Sequence, residues 1–219
     1  IASCLVGSEM CIRDRYRNAG QTCVCSNRIL VQTSVAEDFT TKFEAAVRSL
    51  EMGNGDKEGV AVGPLIDQNA AASVCDFIDD AVSKGAKLIA GGAKSPLGDC
   101  FVEPTILTNV SRNMRVFSEE IFGPVAPIFT FETEVEAIEM ANDTEFGLAA
   151  YFYSRDIGRI YRVAEKLEYG IIGINEGIIS NEMAPFGGVK ESGSGREGSK
   201  YGLDDYLDIK YMCIGGIHQ

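Results

Sequence analysis

The chain has 219 residues, 45% of them hydrophobic and 24% charged, which suits one large globular domain and speaks against disorder or a fibre. A formal net charge of −12 argues against nucleic acid as a partner, because phosphate binding needs a basic face. A small anionic substrate held by one or two local arginines stays compatible with that charge.

The apolar runs are far shorter than a membrane span, and no charged-then-apolar leader opens the chain, so a cytoplasmic protein with no membrane partner is expected. The cysteines are Cys4, Cys11, Cys23, Cys25, Cys75, Cys100 and Cys213, an odd and scattered set that reads as reduced thiols rather than a disulfide framework. No metal site is expected, since the one close cysteine pair is Cys23 and Cys25 and the one histidine is His218.

Taken in chain order, residues 1–15 show neither helical nor strand period. The run CLVGSEMCIRDR over residues 4–15 resembles a translated sequencing-library adaptor, so this segment is expected to be foreign to the fold. Residues 28–32 then form a short β-type run. Ser34 with Glu37 predicts a capped helix carrying Val35, Phe39, Phe43, Val47 and Leu50 at helical spacing. A second helix is predicted over residues 67–84, with Val74, Phe77, Ile78, Ala81 and Val82 on one side and Gly85 at its end.

Strands are predicted at 87–90 and 125–131, followed by a helix capped by Thr133 and running to about Asn142. A strand over 148–154, a helix capped by Asp156 and a strand over 170–175 complete the alternation. This β–α order with apolar strands predicts an α/β fold, a mostly parallel sheet with helices on both faces. Residues 16–203 are assigned to that domain. Residues 204–219 are a tail whose β-type run, 206–214, is a candidate oligomerisation strand.

Three segments can carry chemistry. In Arg17-Asn18-Ala19-Gly20-Gln21-Thr22-Cys23-Val24-Cys25 the glycine permits a sharp turn, and small polar neighbours leave Cys23 reachable. A thiolate there, favoured by backbone N–H groups, would attack an aldehyde carbon. Read alone, the segment fits a structural cysteine at least as well. Glu119-Glu120-Ile121-Phe122-Gly123-Pro124 offers a carboxylate and an aromatic ring for a flat cofactor and its ribose, or an ordinary loop into a strand. The glycine-rich loop 185–198 matches neither the P-loop nor the dinucleotide fingerprint and reads as structural lining.

In combination and order these segments resemble the aldehyde dehydrogenase superfamily, over residue 16 to about residue 215. The resemblance implies that Cys23 is the nucleophile and that its N–H lines the oxyanion hole. It also implies that Glu120 holds the nicotinamide ribose of NAD or NADP, that Phe122 packs beside it, and that Asn175 lies near the active-site wall.

The branch it resembles, through Arg17–Cys25, residues 142–153 and residues 197–207, is the succinate-semialdehyde dehydrogenases. That likeness implies a small anionic aldehyde whose distal carboxylate is bound by Arg17 and Ser180, an arginine fork being matched to a carboxylate. It further implies a homo-oligomer and, in some relatives, a reversible Cys23–Cys25 disulfide. Glutarate semialdehyde is the alternative substrate. A non-catalytic scaffold, or a thiol hydrolase needing His218 as base, are the readings from other classes. The dinucleotide-binding domain, general base and remaining oxyanion donor of the family are not found in this sequence, so these 219 residues are expected not to turn over alone.

Overall fold

The computed structural model describes residues 11, 12 and 15–216. Among the described residues the strands and α-helices with full bounds run in the order β1 Ile29–Gln32, α1 Ala36–Arg48, β2 Glu51–Met52, β3 Val60–Val62, α2 Gln68–Ser83, β4 Lys87–Ala90, β5 Thr105–Thr108, α3 Arg115–Ser118, β6 Val125–Phe131, α4 Glu134–Asn142, β7 Phe146–Gly147, β8 Ala149–Phe152, α5 Ile157–Ala164, β9 Ile171–Ile174 and β10 Val189–Lys190. The main sheet has the order β1-β6-β5-β4. Its β1–β6 and β5–β6 pairs are parallel and β4 runs antiparallel at the edge. A separate parallel pair, β8–β9, is in register Ala149 to Ile171.

The architecture is the α/β one read from the sequence. Five consecutive residues of β6, Val125 to Phe129, are buried. Alternate side chains of a strand point to opposite faces, so both faces of the sheet are covered there. Phe39, Phe43 and Val47 of α1 and Val74, Phe77 and Ile78 of α2 supply the helical side of the core. Phe39 and Phe43 stack at 5.4 Å, and Phe117 meets Phe129 edge-on at 5.4 Å.

Two of the three expected caps form, those of Thr133 and Asp156, and Asp67 at the start of the second helix caps as well. Asp67 accepts from Ala70 N–H at 2.7 Å, Thr133 from Glu136 N–H at 3.2 Å and Asp156 from Arg159 N–H at 3.0 Å. Ser34 does not cap. It sits inside a 3₁₀ turn, Thr33–Val35, and α1 starts at Ala36 without a side-chain cap. Among the elements that escaped sequence reading are the short strands β2, β3, β7 and β10, the single turn α3, and β5, which is only four residues long yet central to the sheet.

The tail is also different from expectation. Residues Lys200–Tyr206 form a 3₁₀ helix, and 207–216 pair with no strand among the described residues. A β-type sequence becomes a strand only when another edge supplies its hydrogen bonds. Nor does packing start at residue 16. Ile12 is buried in the core cluster and Arg15 is 1% exposed, although both lie in the segment read as foreign. Residues 1–10, 13 and 14 of that segment, and His218, lie outside the described residues.

Candidate active site

Strands β1 and β6 are parallel neighbours, so the chain segments that enter them run side by side. One is residues 16–28, which carries Cys23; the other is residues 118–124, which carries Glu120 and Phe122. The main sheet therefore brings together two motifs almost a hundred residues apart in sequence.

The nucleophile segment is shaped by left-handed backbone. Asn18, Ala19 and Gly20 have φ of 52°, 55° and 77°. Arg17–Gly20 is thus a kinked 3₁₀ turn, and Arg17 is not related to Cys23 by continuous helix. Gly20 is required twice over: its φ suits glycine, and a β-carbon would collide with the carbonyl oxygen of Gly123. Gln21 ties the turn to a neighbouring loop, its Oε1 accepting from Ile66 N–H at 2.8 Å and its Nε2 donating to Pro64 O at 3.3 Å. Behind the turn, the buried Tyr16 hydroxyl donates to Thr105 O at 2.9 Å.

Cys23 is exposed and its neighbour Cys25 is half-buried; both are free thiols. Burial pushes the Cys25 thiol above its ordinary pKa, with Thr22 pulling the other way through a hydrogen bond. The Cys25 Sγ donates to Arg17 O at 3.7 Å. The two cysteines therefore differ in setting: one meets solvent, the other is half-buried in the turn and bonded to the Arg17 carbonyl.

A cavity of about 610 Å³ opens beside the turn, and its lining includes Cys23, Cys25, Asn27, Glu119 and Glu120. Arg17, Phe122 and Ser180 are not among the lining residues. Phe122 has a left-handed φ of 49° and a ring that is 44% exposed, beside the cavity's Glu120 in sequence. Arg17 and Ser180 are exposed. Asn175 is occupied elsewhere: its side chain pairs with the Ser154 backbone at 2.7 and 2.9 Å, tying the ends of β8 and β9 together.

Two residues that sequence reading passed over join the segments. Arg15 donates to Ser26 O at 3.1 Å, to Gly123 O at 2.7 Å and also to Val125 O. Desolvation lowers its pKa to about 10, the nearby Tyr16, Cys25 and Glu120 pulling the other way. Asn27 bonds the backbone on either side of Glu120. Neither belongs to a recognisable catalytic pattern, so only the fold reveals them. Among the described residues no cluster suits a metal ion, and none of their helices is long and apolar enough to cross a membrane.

Comparison with known proteins decides the lineage. The sequence profile described as the aldehyde dehydrogenase family matches residues 7–212. The chain belongs to the aldehyde dehydrogenase family. It is 59% identical over 209 residues to a glutarate-semialdehyde dehydrogenase of Pseudomonas aeruginosa, covering 95% of this chain and 43% of that protein. It is 58% identical over 207 residues to the NADP(+) succinate-semialdehyde dehydrogenase of Escherichia coli, covering 94% of this chain and 43% of the relative.

The crystal structure of succinate-semialdehyde dehydrogenase from Burkholderia pseudomallei superposes with a TM-score of 0.95 at 56% identity, over 97% of this chain and 44% of that one. A betaine aldehyde dehydrogenase from Staphylococcus aureus, solved in complex with NAD+, superposes at 0.90 with 38% identity, over 94% of this chain and 42% of its own. The chain thus spans less than half the length of these aldehyde dehydrogenases. The family match begins at residue 7, inside the segment read as foreign.

Proposed function

We propose that this chain is the thiol-bearing part of an NAD(P)-dependent semialdehyde dehydrogenase of the cytoplasm, oxidising succinate semialdehyde to succinate, with glutarate semialdehyde as the alternative substrate. The observation that carries this reading is an exposed Cys23 on a left-handed turn, sharing one cavity with Glu120. The high identity to relatives named for both semialdehydes supports the substrate class without choosing between them.

In this reading the Cys23 sulfur adds to the aldehyde carbon, giving a thiohemiacetal whose oxyanion is met by the Cys23 backbone N–H. Loss of hydride leaves a thioester on Cys23, and water releases the carboxylic acid and frees the thiol. The nicotinamide, when bound, supplies the hydride acceptor. The residues fit such a group: exposed Glu120 offers a carboxylate to ribose hydroxyls, and the partly exposed Phe122 ring offers a flat face beside it. Arg17 and Ser180, both exposed, are the proposed partners of the substrate's distal carboxylate.

Cys25 is the proposed redox partner of Cys23. Closing that pair removes two protons and two electrons, taken up by a peroxide that is reduced to water. Homo-oligomerisation through residues 206–214 is proposed on the exposure of Tyr206, Leu207, Ile209, Tyr211, Met212 and Ile214.

Iodoacetamide labelling near neutral pH tests the central claim. Cys213 is also exposed, so it reports what exposure alone does. Alkylation of Cys23 well ahead of Cys213 and Cys75 is the expected result; labelling without preference overturns the nucleophile assignment. NAD(P)-dependent aldehyde oxidation by the purified 219 residues is expected to be absent.

A further inference from the structure

We infer that Asn27 is a positioning residue, whose side-chain amide sets Glu120 in place against Cys23. The inference rests on the roles proposed for those two residues, and its geometry stands independently of them. Asn27 Nδ2 donates to Glu119 O at 2.9 Å, and Asn27 Oδ1 accepts from Ile121 N–H at 3.0 Å. A carboxamide offers one donor side and one acceptor side, the pair that a neighbouring strand would present to a peptide segment. Both peptide groups flanking Glu120 are thereby fixed, and with them the direction in which its side chain leaves the backbone.

The amide is carried by the same stretch as the nucleophile. Asn27 follows Cys23 by four residues and precedes β1 by two. That stretch is itself immobilised: Cys25 N–H donates to Thr22 O at 2.8 Å, and the Tyr151 hydroxyl donates to Val24 O at 2.9 Å. Beyond Glu120 the buried Ile121 anchors the chain, and Arg15 with the Gly20–Gly123 contact holds the end that enters β6. Glu120 and Phe122 lie between these two grips, Phe122 in left-handed backbone. Of the grips on this segment, the amide bracket is the one that bonds the peptide groups on both sides of the exposed Glu120.

Two other asparagines make the same kind of bracket. Asn175 pairs with Ser154, and Asn142 pairs with Lys166 O at 2.8 Å and Glu168 N–H at 3.0 Å. Both tie scaffold to scaffold. Asn27 alone of the three connects the segments that carry candidate site residues.

The 219-residue chain serves for the test, with Asn27→Leu removing both bonds at nearly constant shape and Asn27→Asp keeping only the acceptor. Two readouts are taken. The first is amide exchange at Ile121, with the β5 and β6 amides as the folding control. The second is bridging of Cys23 to a thiol introduced by Glu120→Cys, in a Cys25→Ser background, by a short rigid bis-maleimide.

In Asn27→Leu, Ile121 exchange is expected to rise about tenfold and bridging to slow several-fold, while Asn27→Asp recovers part of both. Unchanged Ile121 exchange, or faster exchange with bridging unmoved, overturns the inference. Failure of Cys23 to label preferentially with iodoacetamide would instead sink the nucleophile reading, an outcome these two readouts do not share.

Discussion

Two glycine-containing loops flank the fold's chemistry, and they differ in how far each closes on itself. The nucleophile turn, residues 17–27, is gripped from outside: by Gln21 on the 64–66 loop, by Gly20 against Gly123, and by Tyr16 and Arg15 beneath it. The glycine-rich loop, residues 185–198, is anchored by β10 on β7 and by Ser192, which accepts from Gly147 N–H at 2.9 Å, but it is also closed on itself. Arg196 donates to Gly188 O at 2.7 Å and Gly195 O at 2.8 Å, and Phe186 pairs with Glu197 across the loop. An externally held turn takes its geometry from distant sequence, whereas a loop closed partly on itself supplies part of its own. The first plan suits a side chain that must meet groups on other segments.

That contrast can be broken by glycine replacement. Gly20→Ala must both tolerate φ +77° and push away backbone, so it is expected to destabilise by about 3 kcal/mol or more in chemical denaturation. Gly193→Ala has φ +106° but open space around it, so its cost is conformational alone, about 1–2 kcal/mol. Equal losses would show that the two loops are held alike.

Tyr16→Phe sharpens the comparison one layer down. It leaves the buried Thr105 carbonyl without its hydroxyl donor, at about 1–2 kcal/mol by the same measurement. Iodoacetamide reactivity of Cys23 should rise as the turn loosens, while loop 185–198 keeps its protease resistance.

The smallest effect lies at the start of α4. Glu134 bonds Arg162 and Arg159, and these partners, Arg162 first, hold its pKa down to about 2 from 4.5. A depressed carboxylate stabilises the fold above its unfolded pKa and loses that contribution as pH falls toward the folded one. The melting temperature of Glu134→Gln should therefore lie below that of the parent at pH 6, with the gap closing between about pH 4.5 and 2. A gap that persists at pH 2 would show that the ion pairs are not its cause.

The sequence made the long periodic elements legible because hydrophobic spacing and short-range caps are local signals. Phe39, Phe43 and Val47 announced α1, Val74, Phe77 and Ile78 announced α2, and Thr133 and Asp156 announced the starts of α4 and α5. Ser34 misled because its neighbour Thr33 begins a 3₁₀ turn that consumes the first residues of the expected helix. β5 went unread because what makes it a strand is its place between β4 and β6, which no local signal shows. Cys23 and Glu120 were legible as motif residues. Asn27 and Arg15 were not, since what they do is bond backbone about a hundred residues away.

The tail has a practical corollary. Ile209 is fully exposed and Tyr211, Met212 and Ile214 are nearly so, on backbone that forms no ladder. Ordered water around so much greasy surface is costly, and a crowded solution offers an escape in the stickiness of one molecule for the next. Handling should thus be governed by these last dozen residues rather than by the well-packed interior: dilute samples stay clear, and clouding on concentration begins here.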